Sequence, residues 1–328
     1  MSQQSVIHVL YVVHDYFGGT AQHLAAAMAS ILENTKSKVH IHLFHNPDLP
    51  SADIDKLSKM IKRYEQEFDS YAVQIDDSIL NKIPRIAEYT PGVLYHLKVA
   101  DLVKENIKRI IYLDFDTIVH DDIQRLFEED LKGNCVGLVP LPEKSSKKML
   151  AEDFPDGKSP ILPSEYYNTG VMLMDLQSVR QKHDLWNESI SFLLKYPELQ
   201  YLDQTALCCI FNGEILPLNE RYNLGVTRKQ GVHTPGIYHY KGPWRTKPWN
   251  CVDKNISVLY WKYLIKAQWL EPEECLLEFA NKICLDEAIV KNPMRNKKKV
   301  IRMFLLRLGI DFRNVFASLR YRLQKCFS

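Results

Sequence analysis

Two carboxylates one residue apart, Asp114 and Asp116, follow the apolar run Ile110-Ile111-Tyr112-Leu113. In an extended chain residues i and i+2 face the same side, so both acids can meet at one point while Phe115 turns the other way. Paired hard oxygen ligands suit Mg²⁺ or Mn²⁺, ions that commonly carry phosphate oxygens as well. His239 is a candidate third ligand, because it ends a short apolar stretch and imidazole can complete a Mn²⁺ site that already holds two carboxylates. The loop Lys241–Asn250 follows it, rich in Gly, Pro, Trp and cations. There Lys247 could neutralise a diphosphate, and Trp244 and Trp249 could either stack on a sugar or close the core. Asn168 precedes the apolar stretch Gly170–Met174, and Asp203-Gln204 opens an apolar helix. These side chains are of the kind that reads sugar hydroxyls. Asp121 and Asp122 are expected to cap a helix instead.

The elements that must position these groups are legible in the hydrophobic periodicity. Val6–Val13 is a continuous apolar run, as in a strand buried on both faces, and Gly18-Gly19-Thr20 leads from it into a helix over Ala21–Glu33. A second strand is expected at Lys38–Phe44, a helix at Ser51–Tyr64 and a short strand near Tyr71–Ile75. An amphipathic helix over Val93–Glu105 then precedes the strand Arg109–Leu113. Strands alternating with helices predict a mostly parallel sheet covered on both faces, and in such sheets ligands bind beyond the carboxyl ends of the strands, where Asp114 falls. Further on, Cys135–Pro140, Gly170–Met174 and Gly236–Tyr240 are expected as strands, and Val179–Lys195 and Leu202–Phe211 as helices. The polar segment Lys144–Pro163 is expected as a mobile loop.

Paired acids after an apolar strand also occur in phosphohydrolases of the haloacid dehalogenase superfamily. Here Ile118 stands where that motif wants Thr or Val, and no later Gly-Asp acidic motif follows. The chain instead resembles glycosyltransferase family 8, the group of bacterial lipopolysaccharide glucosyl- and galactosyltransferases and of glycogenin. Five pieces carry the resemblance, in family order between about Val6 and Trp249. They are Tyr112-Leu113-Asp114-Phe115-Asp116, Tyr167-Asn168-Thr169-Gly170-Val171, Leu202-Asp203-Gln204, Asn219-Glu220-Arg221-Tyr222-Asn223 and the stretch from His239 to Trp249.

The resemblance implies a GT-A fold, that is, a Rossmann-like α/β domain with a mostly parallel central sheet, a UDP-sugar donor, Mn²⁺ (with Mg²⁺ as the alternative) and retention of anomeric configuration. It implies Asp114, Asp116 and His239 as metal ligands, Lys247 as the diphosphate contact, and Asn168, Asp203 and Gln204 around the donor sugar. Asp15 is similar to an acid that holds the nucleoside. Gln204 or Asp203 would stabilise an oxocarbenium-like transition state during same-face attack by the acceptor. The chain departs from the family in four places. Pro243–Thr246 put four residues between Gly242 and Lys247 where two are usual, so Arg245 could take over the diphosphate. His96 replaces a family Arg, Thr205 replaces a frequent acid, and the Gly18-Gly19 loop is longer than usual. A nucleotide-sugar-binding protein without catalysis is the competing reading, beside the phosphohydrolase.

Charge is distributed unevenly. From Lys291 onward there are eleven Lys/Arg and one acid, Asp311, whereas the preceding residues carry 31 basic and 39 acidic side chains. Ile301, Phe304, Leu305, Leu308, Phe312, Val315, Phe316, Leu319 and Leu323 recur at helical spacing with cations off that stripe, as in a helix lying in an anionic membrane interface. The expected organisation is therefore a catalytic domain over 1–270 and a helical region over 271–328 with a basic, membrane-associating tail. No recognised nucleic-acid-binding motif accompanies the charge. Seven cysteines, an odd number with no CxxC pair, are expected as reduced thiols without a zinc-ligand spacing. Together these features lead to the expectation of a cytoplasmic enzyme, peripheral on the inner face of a bacterial membrane, that uses a glycan or glycolipid acceptor.

Overall fold

A computed structural model of the chain describes residues 6–16, 18–226, 234–242, 247–250 and 254–271, together with 274 and 278. Trp244, Arg245 and the tail beyond 278 lie outside the described residues, as do the expectations placed on them.

Seven strands form the central sheet: β1 (Ile7–Val13), β2 (Val39–His45), β3 (Glu67–Ala72), β4 (Arg109–Leu113), β6 (Val136–Pro140), β7 (Tyr167–Asp175) and β8 (Ile215–Pro217). Their order is β3-β2-β1-β4-β7-β6-β8. Six run parallel, and β7 alone is antiparallel to its neighbours β4 and β6. A small second sheet has the order β5-β10-β9, from Thr117–Val119, Ile237–His239 and Leu224–Gly225.

The sheet separates two apolar clusters. One face of β1 and β2 (Val9, Tyr11, Ile41, Leu43) packs under the helices Thr20–Asn34, Ser51–Arg63 and Lys254–Ala267. The other (Leu10, Val12, Phe44) packs on the helices Leu176–Lys182, Leu185–Lys195 and Leu202–Ile210. The helix Lys254–Ala267 docks on Thr20–Asn34, where Tyr260 Oη meets His23 Nδ1 at 2.7 Å and Tyr263 Oη accepts from Asn34 Nδ2 at 2.6 Å. Gly18 and Gly19, at φ +82° and +91°, make the turn into Thr20–Asn34, a region that disfavours side chains with a Cβ.

Several expected elements differ. Pro91–Lys98 winds as a 3₁₀ helix before a short α turn, Val99–Leu102, in place of one α-helix. Gly92 lies there so close to β1 that a Cβ would come within 2.7 Å of His14 Cβ. β3 covers Glu67–Ala72 and not Tyr71–Ile75; Val73 N still donates to the His45 carbonyl at 2.8 Å, and Val73 and Ile75 are buried beyond the strand. The expected helix Val179–Lys195 breaks at His183, where Asp184 caps a new helix by accepting from Asn187 N. Most consequential, Glu143–Asp153 is a helix, where a mobile loop was expected.

Candidate active site

β4 delivers Asp114 and Asp116 beyond the carboxyl end of the sheet, and the chain continues at once into β5. The antiparallel pairing of β5 with β10 sets His239 opposite Thr117, which brings its imidazole over the two acids. His239 Nε2 lies 3.3 Å from Asp114 Oδ2 and 3.3 Å from Asp116 Oδ1. One donor atom from each of the three residues falls within 4.8 Å of the others. Asp116 and His239 are 6% and 4% exposed, so the cluster is recessed rather than solvated. Gly170 shows how tight it is: a Cβ there would stand 2.2 Å from His239 Cε1 and 2.5 Å from Asp114 Oδ2. Two carboxylates, one imidazole and a glycine that clears their approach fit a Mn²⁺- or Mg²⁺-class ion. Phe115 turns away from the acids and stacks on Trp249, 5.8 Å between centroids. Trp249 also stacks on His23 at 3.9 Å, so it closes the core and is not placed to bind a sugar.

A chain of hydrogen bonds runs from His239 across the cleft. His239 Nδ1 meets Asn223 Oδ1 at 3.1 Å, and Asn223 Nδ2 donates to Asn168 Oδ1 at 2.7 Å. Asn168 Nδ2 donates to Gln204 Oε1 at 2.8 Å, and Gln204 Nε2 to Tyr166 Oη at 3.2 Å. Tyr166 Oη meets Thr205 Oγ1 at 2.7 Å, and Thr205 Oγ1 donates to Asp153 Oδ2. With Asp153 as the terminal acceptor, every member can donate in one direction. That direction has Nδ1 donate to Asn223 and leaves Nε2 facing the carboxylates, to donate to them when protonated or to ligate an ion when not. Asp153 Oδ1 also accepts from Gln200 N and Tyr201 N, which fixes the approach to the helix carrying Asp203 and Gln204. Asn223, Tyr166 and Asp153 were not singled out for roles in the sequence. The family-like stretches around Asn223 and Tyr166 were the available signal there, whereas nothing local marks Asp153.

The remaining expected residues divide. Asp203 Oδ2 lies 3.5 Å from His96 Nε2, and His96 stacks on Tyr112 with centroids 4.7 Å apart. Tyr112 Oη in turn donates to Asp114 Oδ1 at 2.6 Å, so His96 and Asp203 belong to the same cleft. Asp15 is committed locally: its carboxylate accepts from Thr20 N at 3.1 Å and Thr20 Oγ1 at 2.9 Å, anchoring the start of the first helix. Lys247 Nζ donates to Asp116 Oδ2 and, at 3.0 Å, to the Tyr240 carbonyl. Gly242 is exposed and adopts φ +104°. Neither Asp121 nor Asp122 is the N-cap of the helix Gln124–Phe127, a place held by Ile123; Asp122 Oδ1 accepts from Gln124 N at 3.0 Å in the preceding turn, and Asp121 pairs with Arg221.

Protonation differs sharply between groups. Burial pushes the Asp116 carboxyl up, but His239 and Lys247 outweigh it and hold the group below the ordinary carboxylate range. Burial lowers His239, yet the two carboxylates raise it overall. Asp203 is pushed up to about 7, first by burial and then by the negative charge of Asp114. Burial takes His96 down to about 4 and Lys241, near both acids, down to about 8.

A mostly parallel α/β sheet with an acid–acid–histidine cluster beyond its carboxyl ends is the architecture of the GT-A fold. Residues 8–252 match the model of glycosyl transferase family 8, and the protein belongs to that family. It is 25% identical over 295 residues to general stress protein A of Bacillus subtilis, covering 82% of this chain and 96% of that one. It is 26% identical over 251 residues to an Escherichia coli lipopolysaccharide 1,2-glucosyltransferase, covering 69% of each. In three dimensions it resembles the galactosyltransferase LgtC in complex with donor and acceptor sugar analogues. The TM-score is 0.67 at 20% identity, over 81% of this chain and 98% of that one, a likeness of fold. Family membership sets the phosphohydrolase reading aside.

Proposed function

We propose that the enzyme transfers glucose or galactose from a UDP-sugar to a cell-surface glycan of the lipopolysaccharide core type, with retention of configuration. The observation that carries this reading is the convergence of Asp114, Asp116 and His239, joined by one hydrogen-bond chain to Gln204. We assign a Mn²⁺ or Mg²⁺ ion to the three ligands; when bound it would neutralise charge growing on the departing diphosphate. Lys247 and Lys241 add positive charge on the same side. Asn168 and Tyr166 hold the Gln204 amide from both ends, and its Oε1 keeps a second lone pair for the sugar. Asp203 stands next to it beside His96. We assign these two residues to orient the donor and stabilise positive charge at its anomeric carbon, with the acceptor hydroxyl attacking from the face that UDP leaves. The lipopolysaccharide glucosyltransferase relative supports the choice of acceptor.

Among the described residues no helix is long and apolar enough to cross a membrane. We place the catalytic domain at 1–270, closed by the docked helix Lys254–Ala267, and assign residues 271–328 to peripheral attachment at the inner face of a bacterial membrane. Calorimetric titration against a panel of UDP-sugars with Mn²⁺, then proton NMR of the product, tests the reading. An α-linked product from UDP-glucose or UDP-galactose is expected. A β linkage, or binding without release of UDP in the presence of acceptor, would overturn it. A protein truncated after residue 290 should keep UDP-sugar hydrolysis and lose sedimentation with anionic liposomes at low salt.

A further inference from the structure

Three histidines gather at the opposite end of the sheet. His8 and His40 face each other in the β1–β2 register, and His42 lies two residues on from His40, on the same face. His8 Nδ1 and His42 Nε2 are 3.0 Å apart, the His40 and His42 rings stack at 4.3 Å, and one nitrogen from each histidine falls within 4.8 Å of the others. Carboxylates of the neighbouring strand close the group. Asp69 Oδ2 lies 3.0 Å from His40 Nε2, and Glu67 Oε2 lies 3.2 Å from His40 Nδ1. The register of β2 with β3, His40 opposite Glu67 and His42 opposite Asp69, makes this placement a property of the sheet.

We propose that His8, His40 and His42 form a second metal site, for a borderline transition ion of the Zn²⁺ class, that ties β1, β2 and β3 together at the amino end of the sheet. Nitrogens bound tetrahedrally to one such ion at about 2.0–2.1 Å stand about 3.3 Å apart, close to the His8–His42 spacing. Tyr71 Oη, 3.3 Å from His42 Nδ1, can take that nitrogen's proton in a hydrogen bond and leave Nε2 free to ligate. Asp69 stands beside His40 as carboxylates do beside ligating imidazoles. Burial, and next the nearby His40, lower His8 to about 4 and His42 to about 3. Lys104 is the nearby charge that opposes the ion. The exposed Glu67 and half-open Asp69 side chains leave a path inward from solvent. Nitrogen donors and lower coordination number separate this site from the oxygen-rich cluster at the other end.

The test uses the full chain in excess Mg²⁺, which occupies oxygen-rich sites, titrated with Co²⁺ and read by visible absorption. We expect intense bands of nitrogen-bound, low-coordinate cobalt that saturate near one equivalent and bleach on adding Zn²⁺. They should persist in His239→Gln and vanish in His8→Gln and in His40→Gln. Zn²⁺ should raise the Tm of wild type and of His239→Gln by at least about 3 °C, and of neither histidine variant of the sheet. Three results would overturn the proposal: no such bands on wild-type protein, bands lost only in His239→Gln, or a thiolate charge-transfer band placing the cobalt on cysteine. Should one sheet variant fail to fold, the wild-type spectrum and the other variant decide the matter.

Discussion

The two walls of the catalytic cleft hold the same kind of side chain in opposite states. On the β4–β10 wall Asp116 is almost wholly buried, yet His239 and Lys247 beside it keep it ionised. Across the cleft no such cation stands beside Asp203 among the described residues. His96, its neighbour at 3.5 Å, is itself held neutral by burial, and Asp203 keeps its proton to about pH 7. Desolvation acts on both acids in the same direction, so the number of cations in reach decides the outcome. On the function proposed above, the β4–β10 wall would hold the metal ion and the diphosphate. On the same proposal, the other would meet the donor sugar without adding a full negative charge.

The largest effect should come from removing the ionised wall. Asp116→Asn is expected to lower transfer at least about 1,000-fold and to abolish Mn²⁺-dependent UDP binding, since it removes a ligand and leaves His239 and Lys247 without their partner. Normal turnover in that variant would end the distinction between the walls. Gly170→Ala tests the same wall sterically. The added Cβ cannot coexist with His239 and Asp114 in place, so activity should fall about 100-fold together with metal affinity. Loss of activity with unchanged Mn²⁺ affinity would show that the glycine serves the fold alone.

The hydrogen-bond chain joins the walls, and Asp153→Ala should cut it at the far end. A fall in kcat of about 10-fold is expected with Mn²⁺ affinity preserved, because the donors upstream lose their fixed direction while the ligands stay. Thr205→Val should do nearly the same, and the two changes together should cost little more than either. Additive effects would break the relay into unrelated contacts.

The smallest effect concerns protonation of the second wall. A carboxyl raised from 3.8 to about 7 means that the folded protein keeps a proton the unfolded chain has released. Stability of the metal-free enzyme therefore falls as pH rises across that interval, and below it the group contributes nothing. Asp203→Asn should raise Tm by about 2–4 °C at pH 8 and leave it unchanged at pH 4, with lower activity at both. An equal Tm change at the two pH values would mean that the Asp203 proton is not linked to folding.

Much of the ionised wall was legible along the chain. Asp114, Asp116 and the apolar run before them are consecutive, and the period-2 geometry of extended chain alone puts both carboxylates on one side. The parallel sheet was legible for a similar reason, since strands buried on both faces are continuous apolar runs. Which residues stand across from those acids was decided by tertiary structure. Lys247 reaches Asp116 from 131 residues away, and His239 arrives through the β5–β10 pairing. Asp153 sits at the end of a segment whose Lys, Ser and Pro content points to a loop; its helix forms, with Leu150 buried, and its last carboxylate takes hydrogen bonds from Gln200, Tyr201 and Thr205. Local composition determines propensity, and a propensity near zero is settled by whatever the segment packs against. The histidines of β1 and β2 make the same point. Alternation along His40-Ile41-His42 tells that two imidazoles share a face, but only the register of β1 against β2 brings His8 to them. Pairings between distant strands are chosen by burial of both faces of the sheet together, a quantity no local window of the sequence contains.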